Sequence, residues 1–284
     1  MNNYNKLIEI VAERIYCIGD IHGNFNAIRG FIKQNDIRNS LLIFCGDCGF
    51  GFESENHYKQ SVFPKLSKIL SQKNDYCVFI AGNHDNHSLF NSFKFNYKRI
   101  KVVPDYTVIN TYYDDYKAVV NHSILCIGGA ISIDRNIRIL ANETNVNKYR
   151  HYHNCALEVA EKLSPKCYWE DEQPIYDEEQ LKLLNKIETP IDIVCTHTAP
   201  SFCAPYTKDG LKYWIEHDSK LEEDLEKERT VMDNIFNYLT NNGFSLIKWC
   251  YGHFHFHNAE YINGIKFCLM DMDRYGKLDY ELIN

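Results

Sequence analysis

The sequence predicts an α/β protein in which helices cover both faces of the strands. Three strand-like runs near the N-terminus, at residues 14–20, 40–47 and 75–85, are apolar throughout and do not alternate with polar residues. Such runs indicate strands that are buried on both faces. Helix-like stretches at 26–36 and 55–72 separate the runs. This alternation of strand and helix is typical of α/β folds.

The second half of the chain continues this pattern. Further strand-like runs cover 119–130, 191–197 and 245–255. A strong amphipathic helix is predicted at about 219–241, because apolar residues recur there at intervals of three and four. Asn263-Gly264 is predicted to form the turn between two antiparallel strands near the C-terminus.

Composition and charge restrict the classes of function. The chain has 284 residues, 45% hydrophobic and 24% charged, and its formal net charge is −7. An acidic protein lacks the basic face that an extended nucleic-acid surface requires. No run approaches the ~18 apolar residues of a membrane span, and the first ten residues lack the apolar core of a signal peptide. We therefore expect a cytoplasmic protein without a membrane partner, whose eleven cysteines are reduced thiols.

No break in composition requires a domain boundary. We expect one domain over residues 1–284, with a candidate cap or insertion at about 132–180, the least regular part of the sequence. The sequence does not predict an oligomeric state.

Five of the predicted strands are followed by residues of the kind that bind metal ions. The set comprises two aspartates, one asparagine and four histidines: Asp20, His22, Asp47, Asn83, His197, His253 and His255. Sites in open α/β sheets form outside the carboxyl ends of the strands, so we expect these side chains to meet. Asp20 and His22 are two residues apart and would project the same way from an extended chain. The same spacing separates His253 and His255.

The donor set favours two metal ions over one. Nitrogen and oxygen donors suit Mn, Fe or Zn, and seven ligands are too many for one closed tetrahedral site. Two divalent ions outweigh the two carboxylates, so the centre keeps a positive charge that suits phosphate. A metal pair about 3.5–4 Å apart can clamp attacking and leaving oxygens and generate hydroxide near neutral pH. We expect two divalent cations, with Mn²⁺ favoured and Fe or Zn as alternatives.

The segment CGDCGF, residues 45–50, allows a second interpretation. Cys45 and Cys48 have the C-x-x-C spacing of redox and zinc pairs. Cys45, however, lies inside a predicted strand, and Asp47 lies at its end. We therefore interpret Asp47 as the working residue, while Cys48 could still line the site and make it sensitive to oxidation.

The order of the motifs resembles that of the calcineurin-like metallophosphoesterases. The motifs are D-x-H, G-D, G-N-H-D, a single downstream H and G-H-x-H, and they span residues 14 to about 257. The resemblance implies a four-layer α-β-β-α fold of two mixed sheets flanked by helices. It also implies a binuclear-metal-dependent phosphoesterase that hydrolyses a phosphomonoester or phosphodiester by in-line attack of metal-bound hydroxide.

The resemblance also implies roles for individual residues. Asp20, His22, Asp47 and His255 would hold one metal, and Asp47, Asn83, His197 and His253 the other, with Asp47 bridging. His84 would face the substrate, stabilise charge in the transition state and protonate the leaving oxygen. His84 and Asp47 are thus the expected catalytic residues. Asp85 and His257 are further candidates that would support the ligands.

Two departures from the family's protein Ser/Thr phosphatases bear on the substrate. Those enzymes read G-D-x-x-D-R-G at the second motif, where this chain has Phe50 and Gly51 in place of the aspartate and the arginine. A small phosphorylated molecule or nucleotide is therefore favoured over a phosphoprotein. Arg135 and Arg138 are candidate replacements for the phosphate-binding arginine. The alternative is that both are surface arginines paired with nearby carboxylates.

Two further segments resemble a bacterial and phage branch of the family. They are GGAISIDRNIR, residues 128–138, and CYWEDEQP, residues 167–174. This resemblance indicates no substrate.

Three classes of function remain open: a two-metal phosphoesterase, a protein phosphatase and a non-catalytic metal-binding module. Turnover of phosphopeptides would favour the second class. The complete ligand set together with His84 argues against the third. A nuclease is a variant of the first class and is disfavoured, because the chain lacks a basic track.

Overall fold

Two mixed β-sheets with helices on their outer faces form the framework of the protein. The computed structural model describes residues 6–114, 116, 119–208 and 210–283. Within these residues the strands are β1 (Leu7–Val11), β2 (Arg14–Ile18), β3 (Ser40–Phe44), β4 (Tyr76–Phe79), β5 (Ile100–Val102), β6 (Thr107–Tyr112), β7 (His122–Ile127), β8 (Ile193–Thr196), β9 (Lys248–Tyr251), β10 (Asn258–Ile262), β11 (Ile265–Leu269) and β12 (Tyr280–Ile283).

Helices fill most of the connections between these strands. The α-helices are α1 (Phe25–Gln34), α2 (Glu55–His57), α3 (Phe63–Lys73), α4 (Arg135–His153), α5 (Leu157–Leu163), α6 (Glu178–Leu184), α7 (Leu211–His217) and α8 (Leu221–Asn241). A π-helical turn, Tyr58–Val62, joins α2 to α3, and two 3₁₀ turns lie at His87–Leu89 and Phe93–Phe95. In the described part of the chain, none of the helices has the length and apolar content of a membrane span.

The strand order brings two groups of parallel strands together. The five-stranded sheet has the order β12-β2-β3-β4-β5, with β2 to β5 parallel and β12 antiparallel to β2. The seven-stranded sheet has the order β1-β6-β7-β8-β9-β11-β10, in which β7, β8 and β9 are parallel. The carboxyl ends of β2, β3 and β4 therefore share one sheet edge, and those of β8 and β9 share another.

Both faces of the central strands are buried, as their uninterrupted apolar sequences predicted. In β3, Leu41 and Ile43 pack into a core between the two sheets. Leu42 and Phe44 face the other way and pack against α1 and α3. In the other sheet, Trp249 of β9 packs in the same way into the cluster formed with α6 and α8. The layers are thus helix, sheet, sheet and helix, which confirms the predicted fold class.

The hairpin near the C-terminus also matches its prediction. β10 and β11 are antiparallel, and Ile262 pairs with Ile265 across the two-residue turn. Asn263 and Gly264 have φ values of 52° and 82°. Both values are positive, as a type I′ turn requires, and Asn-Gly tolerates them better than most residue pairs.

The segment 132–180 is more regular than its sequence indicated. It contains the nineteen-residue helix α4, the short helix α5 and the first turn of α6. None of the residues of α4 is buried. Because no face of α4 is buried, its apolar residues are not confined to one side of the helix. Apolar periodicity therefore does not predict this helix. The single domain and the cap at 132–180 stay predictions.

Phe50 lies at the centre of an aromatic cluster beneath the loop that follows β3. Its side chain is fully buried. Its ring centroid lies 5.3 Å from Phe25, 5.2 Å from Tyr58, 5.3 Å from Phe79 and 5.7 Å from Phe90. At the position where the Ser/Thr phosphatases have an aspartate, this chain therefore has a core residue.

Phe50→Ala is expected to lower the free energy of unfolding by about 3–5 kcal/mol, because it removes a buried ring and leaves a cavity. Urea denaturation followed by circular dichroism measures the change. Phe52→Ala is the matched control, since Phe52 is 36% exposed and its removal should cost less than about 1 kcal/mol. Equal losses in the two variants would show that the cluster contributes nothing specific.

Candidate metal centre

The seven candidate ligands lie where the carboxyl ends of the two sheets come together. Asp20 and His22 follow β2, Asp47 follows β3, Asn83 follows β4, His197 follows β8, and His253 and His255 follow β9. Each sheet thus contributes part of the set. The site exists because the two groups of parallel strands end at the same place.

Four of these residues form a cluster whose donor atoms are close enough to share one ion. One ligand atom from each of Asp20, His22, Asp47 and His255 lies within 4.8 Å of the others. His255 Nε2 is 3.2 Å from Asp20 Oδ2 and 3.4 Å from His22 Nε2. Two carboxylates and two imidazoles are a donor set that fits Mn, Fe or Zn.

A second group of donors meets on the other side of Asp47. His197 Nε2 lies 3.0 Å from Asn83 Oδ1 and 3.2 Å from Asp47 Oδ1. His197 Nδ1 donates to the carbonyl of Cys45 at 2.7 Å, so in the neutral ring Nε2 is the nitrogen left to bind a cation. The ring of His253 lies 4.9 Å from that of His197. Asp47 is the residue that both groups share.

Four histidines surround the two buried carboxylates of the site. Asp20 and Asp47 each expose 1% of their surface. Within the described residues their ion-pair partners are His22, His84, His197 and His255. Burial opposes ionisation of Asp47, but the nearby His84 and His197 hold the pKa of its carboxyl well below the usual range. Two buried negative charges without Lys or Arg among these partners suit divalent cations.

The same carboxylates act on His197. Burial disfavours the charged imidazole, but Asp47 and Asp20 outweigh it and raise the pKa of His197 to about 9. The two carboxylates that favour a proton on His197 would also favour a metal ion there. A metal ion bound there would replace that proton.

The backbone at four of the seven candidate ligands is left-handed. The φ values are 43° at His22, 47° at Asp47, 71° at His253 and 58° at His255. Residues other than glycine seldom adopt this conformation, and such strain concentrates at functional sites. The extended chain expected for these segments is therefore wrong. Because the chain turns, His253 lies against His197, whereas His255 lies against His22.

Two glycines let the backbone approach the carboxylates closely. A Cβ on Gly252 would lie 2.2 Å from Asp20 Oδ1, and one on Gly82 would lie 2.2 Å from Asp47 Oδ1. Any side chain at either position would displace a candidate ligand. Glycine is thus required at both positions because the backbone packs closely against the carboxylates.

His84 lies beside the cluster and faces a cavity of about 550 Å³. Its backbone N–H donates to Asp47 Oδ1 at 2.8 Å, and its ring centroid lies 5.2 Å from that of His22. Burial lowers the pKa of His84 to about 4. The imidazole is therefore neutral at pH 7 and can donate a hydrogen bond without carrying a charge.

Asp85 connects the two loops that carry Asp47 and Asn83. Its carboxylate accepts hydrogen bonds from the backbone N–H groups of Cys48 (3.0 Å), Phe50 (2.7 Å) and Gly82 (2.9 Å). Burial, and then the charge of Asp47, raise the pKa of Asp85 to about 7 against these three donors. Asp85 thus supports the ligand loops through their backbones.

His257, the other candidate for support, is more remote. It is exposed, and its Nδ1 lies 2.8 Å from Asp279 Oδ2. The same carboxylate oxygen accepts from the N–H of Asp271 at 2.7 Å. The carbonyl of Asp279 accepts from the N–H of Gly19 at 3.3 Å. His257 therefore reaches the turn that carries Asp20 only through Asp279.

The structure separates the two candidate arginines. Arg138 lines the cavity beside His84, and its Nε donates to Asp134 at 2.7 Å. Arg135 instead donates to Asp218 at 2.6 and 3.2 Å and to Asp224 at 2.8 Å. These ion pairs occupy its guanidinium, as in the alternative of pairing with nearby carboxylates. Of the two arginines, Arg138 is therefore the remaining candidate for binding phosphate.

Lys208 is a residue of the site that sequence reasoning did not single out. It lines the same cavity, and its Nζ contacts His253 Nε2 and lies 3.5 Å from Nδ1. Burial lowers the pKa of Lys208 to about 8. A metal bound by His253 would compete with this ammonium for the ring. Lys208 lies between β8 and α7, and a lysine in such a connection is too common a feature to predict a site.

Cys45 packs between the two sheets and Cys48 packs on the helix side, which argues against a redox or zinc pair. Cys45 and Cys48 are fully buried, and all eleven cysteines of the chain are free thiols. Burial raises the pKa of both thiols well above the usual range. The Cys48 thiol donates to the carbonyl of Ile80 at 3.5 Å. Asp47 is therefore the residue of this segment that faces the candidate ligands.

Brief treatment of the native protein with iodoacetamide is expected to label Cys155 and Cys167, which are partly exposed, before Cys45 and Cys48. The reason is that alkylation requires an accessible thiolate. Peptide mass spectrometry measures the rates, and urea-denatured protein provides the control in which all four react. Labelling of Cys48 as fast as that of Cys155 in the native protein would contradict the assignment.

Fold and donor set together define a helix–sheet–sheet–helix protein with a candidate metal-binding cluster at the carboxyl ends of its strands. A profile of the family described as calcineurin-like phosphoesterase matches residues 13–257. The chain therefore belongs to the calcineurin-like phosphoesterase family, which is dimetal-dependent. The profile covers the family as a whole, so the bacterial and phage branch stays a prediction.

The chain is also similar to several solved structures. Phosphopantetheinyl hydrolase from Mycobacterium tuberculosis is 13% identical with a TM-score of 0.44, and 96% of each chain is covered. A dimetal phosphatase from Danio rerio is 10% identical with a TM-score of 0.43, covering 91% of this chain and 87% of that one. At these values the likeness assigns no substrate to this chain. A search among curated proteins finds no match.

Proposed function

We propose that this protein is a binuclear-metal-dependent phosphoesterase that hydrolyses a phosphomonoester or phosphodiester. The observation that carries the proposal is the convergence of two donor groups on one shared carboxylate, Asp47, in a chain of this family. Asp20, His22, Asp47 and His255 would hold one ion, and Asp47, Asn83, His197 and His253 the other. When bound, the ions would act as Lewis acids toward the phosphoryl oxygens and the attacking water.

The chain's own residues would bind and orient the ester. In the reaction the oxygen of water forms a bond to phosphorus and gives up a proton, the bond to the leaving oxygen breaks, and the leaving oxygen takes up a proton in turn. His84 faces the cavity from beside the metal cluster. Its neutral ring would donate a hydrogen bond to the leaving oxygen as negative charge develops there. Hydrogen-bond donation is therefore the role that its lowered pKa favours.

Charge in the cavity supports a phosphorylated substrate. Arg138, Lys208 and Arg274 line the same cavity in a chain whose net charge is −7. Charge-assisted hydrogen bonds from such groups to phosphate are among the stronger polar contacts in proteins. Asp47 and Asp134 also line the cavity, and a net charge of −7 favours a small substrate over an extended polyanion.

Aromatic side chains in the cavity further restrict the class of substrate that it favours. Trp214, Phe254 and Phe256 line the cavity together with these cations. Aromatic faces stack on nucleobases, so a nucleotide or another small phosphorylated molecule is the favoured substrate. Mn²⁺ is the favoured metal, with Fe and Zn as alternatives for the same nitrogen and oxygen donors.

His84→Ala is expected to retain two metal ions per chain and to lose about 100- to 10,000-fold in turnover, because it removes a proton-bearing group at the reacting centre. The protein is stripped of metal and reconstituted separately with Mn, Zn, Fe(II) and Mg. It is then assayed on p-nitrophenyl phosphate and bis-p-nitrophenyl phosphate. Asp47→Asn, which alters the shared ligand, should lose both metal pairing and turnover. Full turnover in His84→Ala would remove His84 from the mechanism.

Arg138→Ala is expected to raise KM by about 10- to 100-fold, because the change removes a charge-assisted contact to substrate. Its melting temperature should fall less than that of Arg135→Ala, since Arg138 pairs with one carboxylate, Asp134, and donates to the carbonyl of Cys167. Steady-state kinetics on the better of the two esters gives KM and kcat. Arg135→Ala is the contrasting variant. It breaks ion pairs to Asp218 and Asp224, so it should lower the melting temperature and leave KM near the wild-type value. The reverse result would exchange the two roles.

A further inference from the structure

A chain of buried hydrogen bonds runs from the candidate ligand Asn83 to Glu172. Asn83 Nδ2 donates to Ser132 Oγ at 2.8 Å, and the Ser132 hydroxyl donates to Glu172 Oε2 at 2.6 Å. The N–H of Ser132 donates to Glu172 Oε1 at 2.8 Å. The three residues expose 3%, 2% and 1% of their surfaces. Solvent therefore cannot easily replace any of these bonds.

The bond directions follow for the ionised form of Glu172. A carboxylate in that form only accepts, so both the hydroxyl and the N–H of Ser132 donate to it. The Ser132 oxygen then accepts from the amide of Asn83. This turns Asn83 Oδ1 the other way, where it lies 3.0 Å from His197 Nε2. A flipped amide would present N–H groups there, and N–H groups cannot bind a cation.

Small residues bring the segment of Glu172 up to the loop of Asn83. A Cβ on Gly129 would lie 2.6 Å from the nitrogen of Pro174, and the N–H of Ala130 donates to the carbonyl of Glu172 at 2.9 Å. The N–H of Gly129 donates to the carbonyl of Ala81 at 2.9 Å, two residues before Asn83. The two segments noted in the sequence, 128–138 and 167–174, are thus joined at Asn83.

Filling this space with the carboxyl group of Glu172 costs free energy, because the group is buried. Burial raises the pKa of Glu172 to about 8, and an apolar side chain could occupy the site without that cost. Buried polar networks in which each member has its partner impose one arrangement on the groups they hold. The group held here is the amide of Asn83.

We propose that Ser132 and Glu172 are positioning residues for the second metal ion, with Glu172 orienting the Ser132 hydroxyl and Ser132 holding the Asn83 oxygen toward the metal. The inference rests on the proposed ligand role of Asn83. It assigns to the segments 128–138 and 167–174 a task that the family's motifs do not include. Residues that orient metal ligands in this way commonly contribute about 10- to 100-fold to metal affinity.

The test measures metal binding and not turnover. Metal-stripped wild type and Ser132→Ala are titrated with Mn²⁺ by isothermal calorimetry, and bound metal is counted by mass spectrometry after dialysis. Ser132→Ala is expected to keep one equivalent at wild-type affinity and to bind the other about 10- to 100-fold more weakly. Glu172→Gln should weaken the same equivalent, because its amide presents a donor to one of the two Ser132 donors.

Ser123→Ala is the matched control. Ser123 is also a fully buried serine, and its Oγ has no hydrogen-bond partner in the described part of the chain. This variant should bind both equivalents as the wild type does. In their metal-free forms both serine variants should unfold in one cooperative transition, with Ser132→Ala the less stable because it leaves buried groups of Asn83 and Glu172 without a partner. A cooperative transition separates a lost orientation from a damaged fold.

A double variant tests whether Ser132 acts through Asn83. In an Asn83→Ala background, Ser132→Ala is expected to cause no further loss of metal affinity, because the group that it holds is gone. Additive losses would overturn the positioning role. So would wild-type affinity for both equivalents in Ser132→Ala alone.

The outcomes distinguish this inference from the proposed function. A wild-type protein that binds only one equivalent would overturn the two-metal site, and the positioning role with it. Two equivalents in the wild type and an unchanged Ser132→Ala would overturn the positioning role alone. Two equivalents without turnover of any ester would overturn the phosphoesterase and leave the positioning role standing.

Discussion

The buried carboxylate of Asp47 is the constraint on which the site depends. A negative charge with 1% exposure is costly unless donors and positive groups surround it. Its partners come from both sheets: the N–H and ring of His84 follow β4, and the ring of His197 follows β8. The charge of Asp47 therefore keeps these partners only if the two sheets pack in one fixed relative position.

The layers beneath the site provide an apolar and rigid base. Strand residues such as Ile43 and Ile193 fill the space between the sheets, and Cys17 and Cys195 lie there with their sulfurs 3.5 Å apart. Water is excluded from such a core, so charges at its edge interact more strongly than they would at an exposed surface. The left-handed turns that follow the strands are tolerated because rigid elements anchor them at one end.

The rim of the cavity has a different origin. Arg138 lies at the start of α4, Lys208 and Trp214 lie in and after the loop that follows β8, and Arg274 lies between β11 and β12. Phe254 and Phe256 differ from them, since they alternate with the candidate ligands His253 and His255 after β9. The proposed substrate contacts thus come partly from segments away from the ligands and partly from a ligand loop itself.

The sequence by itself determined that the central strands are buried on both faces and where the candidate ligands lie along the chain. The arrangement of two sheets in four layers was implied by the resemblance of the motifs to the family. Uninterrupted apolar runs record burial on both faces, and polar residues directly after a strand must lie at its carboxyl end. The tertiary structure alone decided that Arg135 pairs with Asp218, that Lys208 meets His253, and that α4 forms without a buried face. Local periodicity reports whether a residue is buried. It cannot report which distant residue, brought close by the folded chain, will satisfy a particular charge or donor.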